Sequence, residues 1–477
     1  MQIFGYIIAI IVPIITGFCI VRCIAYRYKY EWIYLEYFWL AIPIGFWLVS
    51  YLLFISNRLL NLSFKFWIFL VIQILIILRI LIYLVGMKKL SIKELIWKKI
   101  EFSEKIHVFK KYGKIIITGC LVVLWVQLWF MANNIVTTPT YTADAINNWN
   151  MKSEVFFENK DFVLDKDSRY FLGGQEGTRF YPLNICAQRV WLVLGFWEWN
   201  EQLANTQPFI FFLAGLLIMF SLIYIFSWSL VYSVIGSLLL ASIPIMTIHG
   251  TGQYWDVTLA AGTMIAILYG FLFIRSKEKF YLIISLIGAS LAIRTKNEWL
   301  VMVYGWYLLM MWLYYIISFH NDRVKVIKKV LLLLVPLWAM GFWVIFRLKM
   351  FGLWTGVYMW ADNWSGSSVS DVFIAFMKNL FSQGNYNLLF PVFLLVSIFS
   401  IHKIWKDVSR YIYVYLIFIL LAFILSPLYS NTIAIQFLAI TGTSRFMVSM
   451  IIWPMLFATL YGIYNNVLAN QYDEEKK

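Results

Sequence analysis

Long apolar segments recur along the whole chain and constrain its fold more than any other feature of the sequence. A bilayer core is about 30 Å thick, so a membrane-spanning helix needs roughly 17–25 predominantly apolar residues. Hydrophobic residues make up 62% of the 477 residues and charged residues 13%, with a mean hydropathy of +0.77. So few charges could not cover a soluble core of that size. The sequence therefore predicts an all-α, polytopic integral membrane protein.

The apolar segments predict about 13 transmembrane helices. These spans cover about residues 3–21, 35–55, 66–86, 115–132, 207–226, 229–247, 256–274, 281–293, 301–319, 330–346, 388–401, 411–429 and 446–464. The first segment lacks a basic leader and a small-residue cleavage site, so it is predicted to be a span. We divide the single membrane domain into three parts. Residues 1–132 hold the N-terminal spans and a basic loop, residues 133–206 form the first large outer loop, and residues 207–477 hold the remaining spans.

Lysine and arginine collect in five clusters between the predicted spans. These clusters lie within residues 22–29, 88–114, 275–279, 323–329 and 403–410. All five fall on one side of the membrane if the N-terminus is outside, and the positive-inside rule assigns that side to the cytoplasm. The net charge of +15 is thereby explained by topology and membrane lipids, without a nucleic-acid partner.

Polar residues cluster on the opposite, extracytoplasmic face in five predicted loops. These loops cover about residues 132–207, 249–256, 294–299, 347–387 and 430–445. A structural scaffold does not require polar clusters on one face only, so we expect this outer face to carry the function. We also expect interfacial helices in the first and fourth of these loops.

The segment 141–158 directly follows the fourth predicted span and is polar. Asp144, Asn148 and Lys152 are spaced at i, i+4 and i+8, so a helix would place them on one face. The apolar side of this helix consists of Trp149, Val155, Phe156 and Phe157. The pattern is typical of a helix that lies on a membrane surface. A solvated helix beside the membrane without a chemical role is the alternative.

Other outer residues have both a functional and a structural interpretation. Arg179 and Arg189 can bind an anion or extend to lipid headgroups. Asp256 can act in a site or cap the helix that it begins. Glu298 can serve a site or pair with a neighbouring cation. His249 is interpreted as a loop residue, and no group of His and Cys has metal-ligand spacing.

Several outer elements follow one another in an order that resembles bacterial GT-C glycosyltransferases. The first element begins with an acid shortly after a span, here Asp144. A W-x-x-K motif follows within one helix, here Trp149 and Lys152, and a Y-P-L segment comes later, at Tyr181-Pro182-Leu183. The others are GTGQYWDVTLA at 250–260, LAIRTKNEWL at 291–300 and TSRFMVSMIIWP at 443–454. Members of that superfamily are polytopic enzymes that transfer a sugar from a polyprenyl-phosphate carrier at the extracytoplasmic face.

The resemblance implies a glycosyltransferase in the bacterial cytoplasmic membrane with its active site outside. Transfer with inversion needs a base and positive charge at the leaving phosphate, and Asp144 is the predicted catalytic base. The predicted substrate- or phosphate-binding residues are Lys152, Asp256, Arg294, Lys296, Glu298 and Arg445. The donor would be a polyprenyl-phosphate-linked sugar. The acceptor, whether glycan, lipid or protein, and any requirement for a divalent metal stay open.

Two rival functions remain at this level. A polymerase or ligase of lipid-linked glycans also has many spans and outer arginines, although its major loop usually comes late in the chain. A transporter or flippase would place ionisable residues near the middle of its spans. Arg79 is the clearest residue of that kind here.

Overall fold

The computed structural model describes residues 1–30, 34–86, 107–142, 145–174, 181–296, 304–319, 322–351, 374, 377–381, 384–425 and 443–468. These residues form helices and connecting segments, and no strand occurs among them. Eight of the described helices are long and apolar enough to cross a membrane, or nine if one bent pair counts as a single span. The predicted class, an all-α membrane protein, is confirmed, while the count of about 13 spans stays a prediction.

The helices are numbered in chain order. In the first half they are α1 (Gln2–Arg27), α2 (Tyr34–Leu60), α3 (Phe66–Gly86), α4 (His107–Thr137), α5 (Met151–Asn159), α6 (Asn184–Phe196), α7 (Glu201–Ala204), α8 (Thr206–Ser227), α9 (Leu230–Ala241) and α10 (Pro244–Thr251). In the second half they are α11 (Asp256–Ser276), α12 (Lys279–Ile293), α13 (Gly305–Ser318), α14 (Arg323–Leu333), α15 (Val335–Phe351), α16 (Leu389–Lys406), α17 (Arg410–Leu425), α18 (Thr443–Phe446) and α19 (Ile452–Ile463).

The predicted span at 229–247 differs from the structure, which has two helices there. Helices α9 and α10 are bent by 70° at the break between them. Pro244 is the first residue of α10, a position where proline's missing N–H and fixed φ are tolerated. His249 lies in the last turn of α10.

The chain divides into two compact units. Unit 1 consists of Met1–Glu101, Gln127–Ser221 and His249–Thr258, and unit 2 consists of Phe102–Val126, Leu222–Ile248 and Leu259–Lys477.

In unit 1, α1 and α2 pack antiparallel at very short distance. A Cβ at Gly17 would overlap the Ala41 carbonyl, and one at Gly45 would overlap the Pro13 carbonyl. Glycine is therefore required at both crossings because only it lets the backbones approach so closely.

Helix α6, from the first large loop, packs against α1, α2 and α3. The indole N–H of Trp191 donates to the Ala9 carbonyl at 2.7 Å, and its ring stacks on Phe66 with centroids 5.0 Å apart. Ala9 lies in the N-terminal part of α1 and Phe66 begins α3. Helix α6 therefore lies at the end of these spans opposite Arg27, the last residue of α1.

In unit 2, the helices contact each other through small residues and tyrosine hydroxyls. The Ser285 hydroxyl donates to the Ala266 carbonyl at 2.6 Å and lies 2.8 Å from the Tyr307 hydroxyl. Tyr232 donates to the Leu460 carbonyl at 2.7 Å. These bonds satisfy polar groups that would otherwise be buried without partners.

Candidate functional site

The segment after Thr142 folds as a π-helix, Ala145–Asn150, that continues directly into α5. The wider turn of a π-helix shifts the register of the side chains that follow it. Lys152 is consequently buried, with 1% of its surface exposed, while Asn148 is half-buried. The shared face of Asp144, Asn148 and Lys152 stays a prediction, because Asp144 lies outside the described residues.

Lys152 lies between the aromatic side of its own helix and the loop at 171–174. Its Nζ is 6.0 Å from the centre of the Trp149 ring, a distance at which a cation–π attraction operates. On the other side, a Cβ at Gly173 would overlap the aliphatic stem of Lys152. Gly173 has φ +89°, a conformation that favours glycine. The glycine thus permits the loop to close directly over the lysine.

Helix α6, which packs against α5, carries polar side chains that are fully buried. Arg189, Gln188 and Asn184 have at most 1% of their surface exposed. Gln188 accepts a hydrogen bond from Gln207 at 2.8 Å, and Gln207 also donates to Thr258 at 2.7 Å. Arg189 lies in the protein interior and does not extend to lipid headgroups, so the snorkelling interpretation is wrong.

The turn between α10 and α11 supplies a carboxylate and an imidazole. Asp256 is fully buried and its Oδ2 lies 3.3 Å from Nδ1 of His249. The His249 ring stacks on Tyr254, with centroids 4.7 Å apart. His249 was interpreted as a loop residue, but it belongs to α10 and is buried. A histidine oriented by a carboxylate is an arrangement that suits proton transfer.

Aromatic rings connect this turn to the segment with Lys152. The rings of Trp149 and Trp255 are 4.9 Å apart, and Tyr181 lies 5.6 Å from each. Both tryptophans are buried while Tyr181 is partly exposed. The structure therefore brings two of the predicted site residues, Lys152 and Asp256, into one packed region of unit 1.

The pKa of the Cys186 thiol is influenced by the charged residues of this region. Burial raises its pKa, while the positive charges of Lys152 and Arg189 act on it in the opposite direction. Its Sγ also lies 3.9 Å from the Trp149 carbonyl. This contact places Cys186 of α6 beside the π-helix that precedes Lys152.

The remaining predicted site residues lie elsewhere. Arg294 is buried and Lys296 half-buried just after α12, and Arg445 is half-buried in α18. All three belong to unit 2, and their role at a donor phosphate stays a prediction. Asp144 and Glu298 lie outside the described residues.

Arg189 and His249 were misread from the sequence. Asn150 and Gln253 were missed, and they accept hydrogen bonds from Arg189 through a side-chain and a backbone oxygen, respectively. A signal for the α6 residues was present, because Asn184 and Gln188 are spaced at i and i+4 in an otherwise apolar helix. No comparable signal links His249 to Asp256, which pair across the turn between α10 and α11.

Among the described residues, no group of three or more His, Cys, Asp and Glu side chains could hold a metal ion. No protein-family model, curated protein or solved structure matches the chain.

Proposed function

We propose that the protein is a glycosyltransferase of the GT-C type that uses a polyprenyl-phosphate-linked sugar at the extracytoplasmic face. The observation that carries the proposal is the burial of Lys152, Arg189 and Asp256 together in unit 1. Burying ionised groups costs several kcal/mol per ion unless they are paired. Clusters of such groups are therefore typical of functional sites.

The position of this cluster supports an outer site. Helix α6 packs at the ends of α1–α3 that lie opposite Arg27, and the positive-inside rule assigns basic ends to the cytoplasm. The cluster then faces the side where polyprenyl-linked sugars are used as donors. This orientation is part of the proposal.

The residue types fit the chemistry of transfer to an acceptor hydroxyl. Asp144, the base predicted from the sequence, would take the proton of that hydroxyl as its oxygen attacks the anomeric carbon. The bond from this carbon to the carrier phosphate breaks, and its electron pair stays on the phosphate oxygen. Positive charge in a water-poor interior stabilises the negative charge that develops there.

The structure gives little support to a transport pathway. Arg79, the ionisable residue that most suggested one, is exposed on α3, beside apolar residues such as Leu75 and Ile82 that are also exposed. An arginine on the outer surface of a helix does not line an internal path. A transferase therefore accounts better than a transporter for the charges that are buried, those of Lys152, Arg189 and Asp256.

Sugar transfer in membrane vesicles tests the proposal. Vesicles with and without the protein are incubated with a panel of radiolabelled polyprenyl-phosphate hexoses and pentoses, and label in non-carrier products is counted. We expect protein-dependent transfer from at least one donor. Lys160→Gln, which removes a partly exposed cation at the end of α5, is the matched control and should retain transfer. Binding of polyprenyl phosphate without transfer from any donor would contradict the proposal.

A further inference from the structure

Arg189 is a buried cation whose direct hydrogen bonds go to neutral groups. Its Nη1 donates to Oδ1 of Asn150, and its Nη2 donates to the Gln253 carbonyl at 2.7 Å. Within the described part of the chain, no carboxylate forms an ion pair with it, and its Nε has no acceptor. A buried charge in such surroundings is strongly disfavoured.

The guanidinium nevertheless stays charged at neutral pH. Burial lowers the pKa of Arg189 to about 10, which is still well above the ambient pH. The interior around it also contains Lys152, and the indole N–H of Trp149 has no acceptor among the described residues. Among the described residues, the region thus has two buried N–H donors without acceptors beside the charge of Arg189, which is the chemistry that binds an anion. The buried carboxylate of Asp256 offsets part of the positive charge.

The unused edge of Arg189 has a defined shape. Nε–H and Nη2–H point in the same direction on the side edge of a guanidinium, and together they match two oxygens of one phosphate. Nε is without an acceptor among the described residues, and Nη2 donates to the backbone carbonyl of Gln253. Gln253 has φ +63°, a costly conformation for a residue other than glycine.

We propose that the side edge of Arg189, supported by the charge of Lys152, binds the phosphate of the polyprenyl carrier. The inference rests on the proposed function for the identity of this ligand. One phosphate oxygen takes Nε–H and a second takes Nη2–H in place of the Gln253 carbonyl. The site therefore stabilises the phosphate as the sugar leaves it.

A purely structural role for Arg189 makes different predictions. Glu201 accepts a hydrogen bond from Nδ2 of Asn150 at 3.2 Å, and its charge reaches Arg189. In a structural bridge, this carboxylate offsets part of the cation's charge. In an anion site, the same carboxylate repels the ligand. Removing Glu201 therefore separates the two roles without a change at the buried arginine itself.

Binding of polyprenyl phosphate to the full-length protein in lipid nanodiscs tests the inference. Arg189→Gln should weaken binding about 10- to 100-fold, as expected for the loss of charged hydrogen bonds. Arg189→Lys should also bind polyprenyl phosphate more weakly, because lysine lacks the planar guanidinium that donates two parallel hydrogen bonds. Glu201→Gln should strengthen binding about two- to five-fold. The matched control is Arg169→Gln, which removes an exposed arginine of the same loop and should leave binding unchanged.

Several outcomes would overturn the inference. Unchanged binding in Glu201→Gln together with wild-type affinity in folded Arg189→Lys would assign Arg189 to a structural bridge. Equal affinity for inorganic phosphate or for phosphatidate would remove the assignment to the carrier. The proposed function is tested separately: an Arg189-dependent binding of polyprenyl phosphate without sugar transfer would contradict the transferase and leave the site standing.

Discussion

Helices α3 and α6 each hold one arginine among apolar residues, and the structure gives these arginines opposite surroundings. Arg79 of α3 is exposed, next to apolar residues that are exposed as well. Arg189 of α6 is fully buried and is held by Asn150 and Gln253. An arginine at a helix surface can extend its charge towards headgroups or water. A buried one must find its counter-charge inside the protein or in a ligand.

The lengths of the two helices explain the difference. Helix α3 has 21 residues and α6 has 13, so α6 is about 20 Å long and too short to cross a bilayer core of about 30 Å. An apolar helix of that length must be covered by other parts of the protein. Helix α6 is covered by α1, α2 and α5, and its polar side chains become the interior of a site.

The largest expected effect is a difference in sugar-transfer rate between a variant near the buried cluster and a variant on α3. Asp144→Asn, just before the π-helix, should reduce sugar transfer about 10²–10⁴-fold, the usual contribution of a general base. Arg79→Gln on α3 should leave transfer near the wild-type rate. Both rates are measured in the vesicle assay, with protein amounts matched by immunoblot. Near-full transfer by Asp144→Asn would contradict the assignment of Asp144 as the catalytic base. The base would then have to be sought at Asp256 or Glu298.

The next effect concerns stability. Trp149 is 2% exposed and packs against Trp255, whereas Trp67 at the start of α3 is 57% exposed. Trp149→Ala should lower the free energy of unfolding by about 3–5 kcal/mol because it leaves a cavity. Trp67→Ala should lower it by less than about 1 kcal/mol. Unfolding followed by near-UV circular dichroism in mixed micelles provides both values, and equal losses would show that α3 is also packed against protein.

A smaller effect is expected for the half-buried cations of unit 2, which are intermediate between Arg79 and Arg189. If Lys296 and Arg445 bind the donor phosphate, Lys296→Ala and Arg445→Ala should each weaken polyprenyl-phosphate binding by about 1.5–3 kcal/mol. Arg445→Lys should also bind polyprenyl phosphate more weakly, since lysine cannot donate two parallel hydrogen bonds to one phosphate. Unchanged affinity in all three variants would leave Arg189 and Lys152 as the cations that bind the carrier.

The sequence was sufficient to predict the helices whose apolar runs match a bilayer. The predicted span at 66–86 agrees with α3, and that at 256–274 agrees with α11, because length and apolarity alone define such helices. The buried position of Lys152 was not predictable in this way. Lys152 follows a π-helix, which shifts the register that an i, i+4 pattern assumes.

The contacts within the site were even less accessible from the sequence. Arg189 and Gln253 are 64 residues apart, and no local pattern connects them. His249 and Asp256 are close in the sequence, yet their pairing depends on the turn between α10 and α11, which brings the end of one helix beside the start of the next. Spacing identifies which residues share a helix face, whereas the partners of a buried charge are decided by the packing of several helices.

The smallest predicted effect compares two buried serines of unit 1. The Ser50 hydroxyl, on α2, bonds to the Trp47 carbonyl of its own helix and to Oδ1 of Asn184 on α6. Among the described residues, the Ser221 hydroxyl on α8 bonds only to the Leu217 carbonyl of its own helix. Ser50→Ala should lower the free energy of unfolding by about 0.5–1.5 kcal/mol because a bond between helices is lost.

Ser221→Ala should be nearly neutral, since a bond from serine to the carbonyl four residues earlier contributes little to helix stability. Both changes remove one hydroxyl from a site that is at most 1% exposed, so the loss of volume is matched. The measurement is unfolding in the same mixed micelles as above. Equal values for the two variants would mean that the bond to Asn184 does not hold α6 against α2. The burial of Arg189 would then depend on the apolar contacts of α6 alone, such as Trp191 with Phe66.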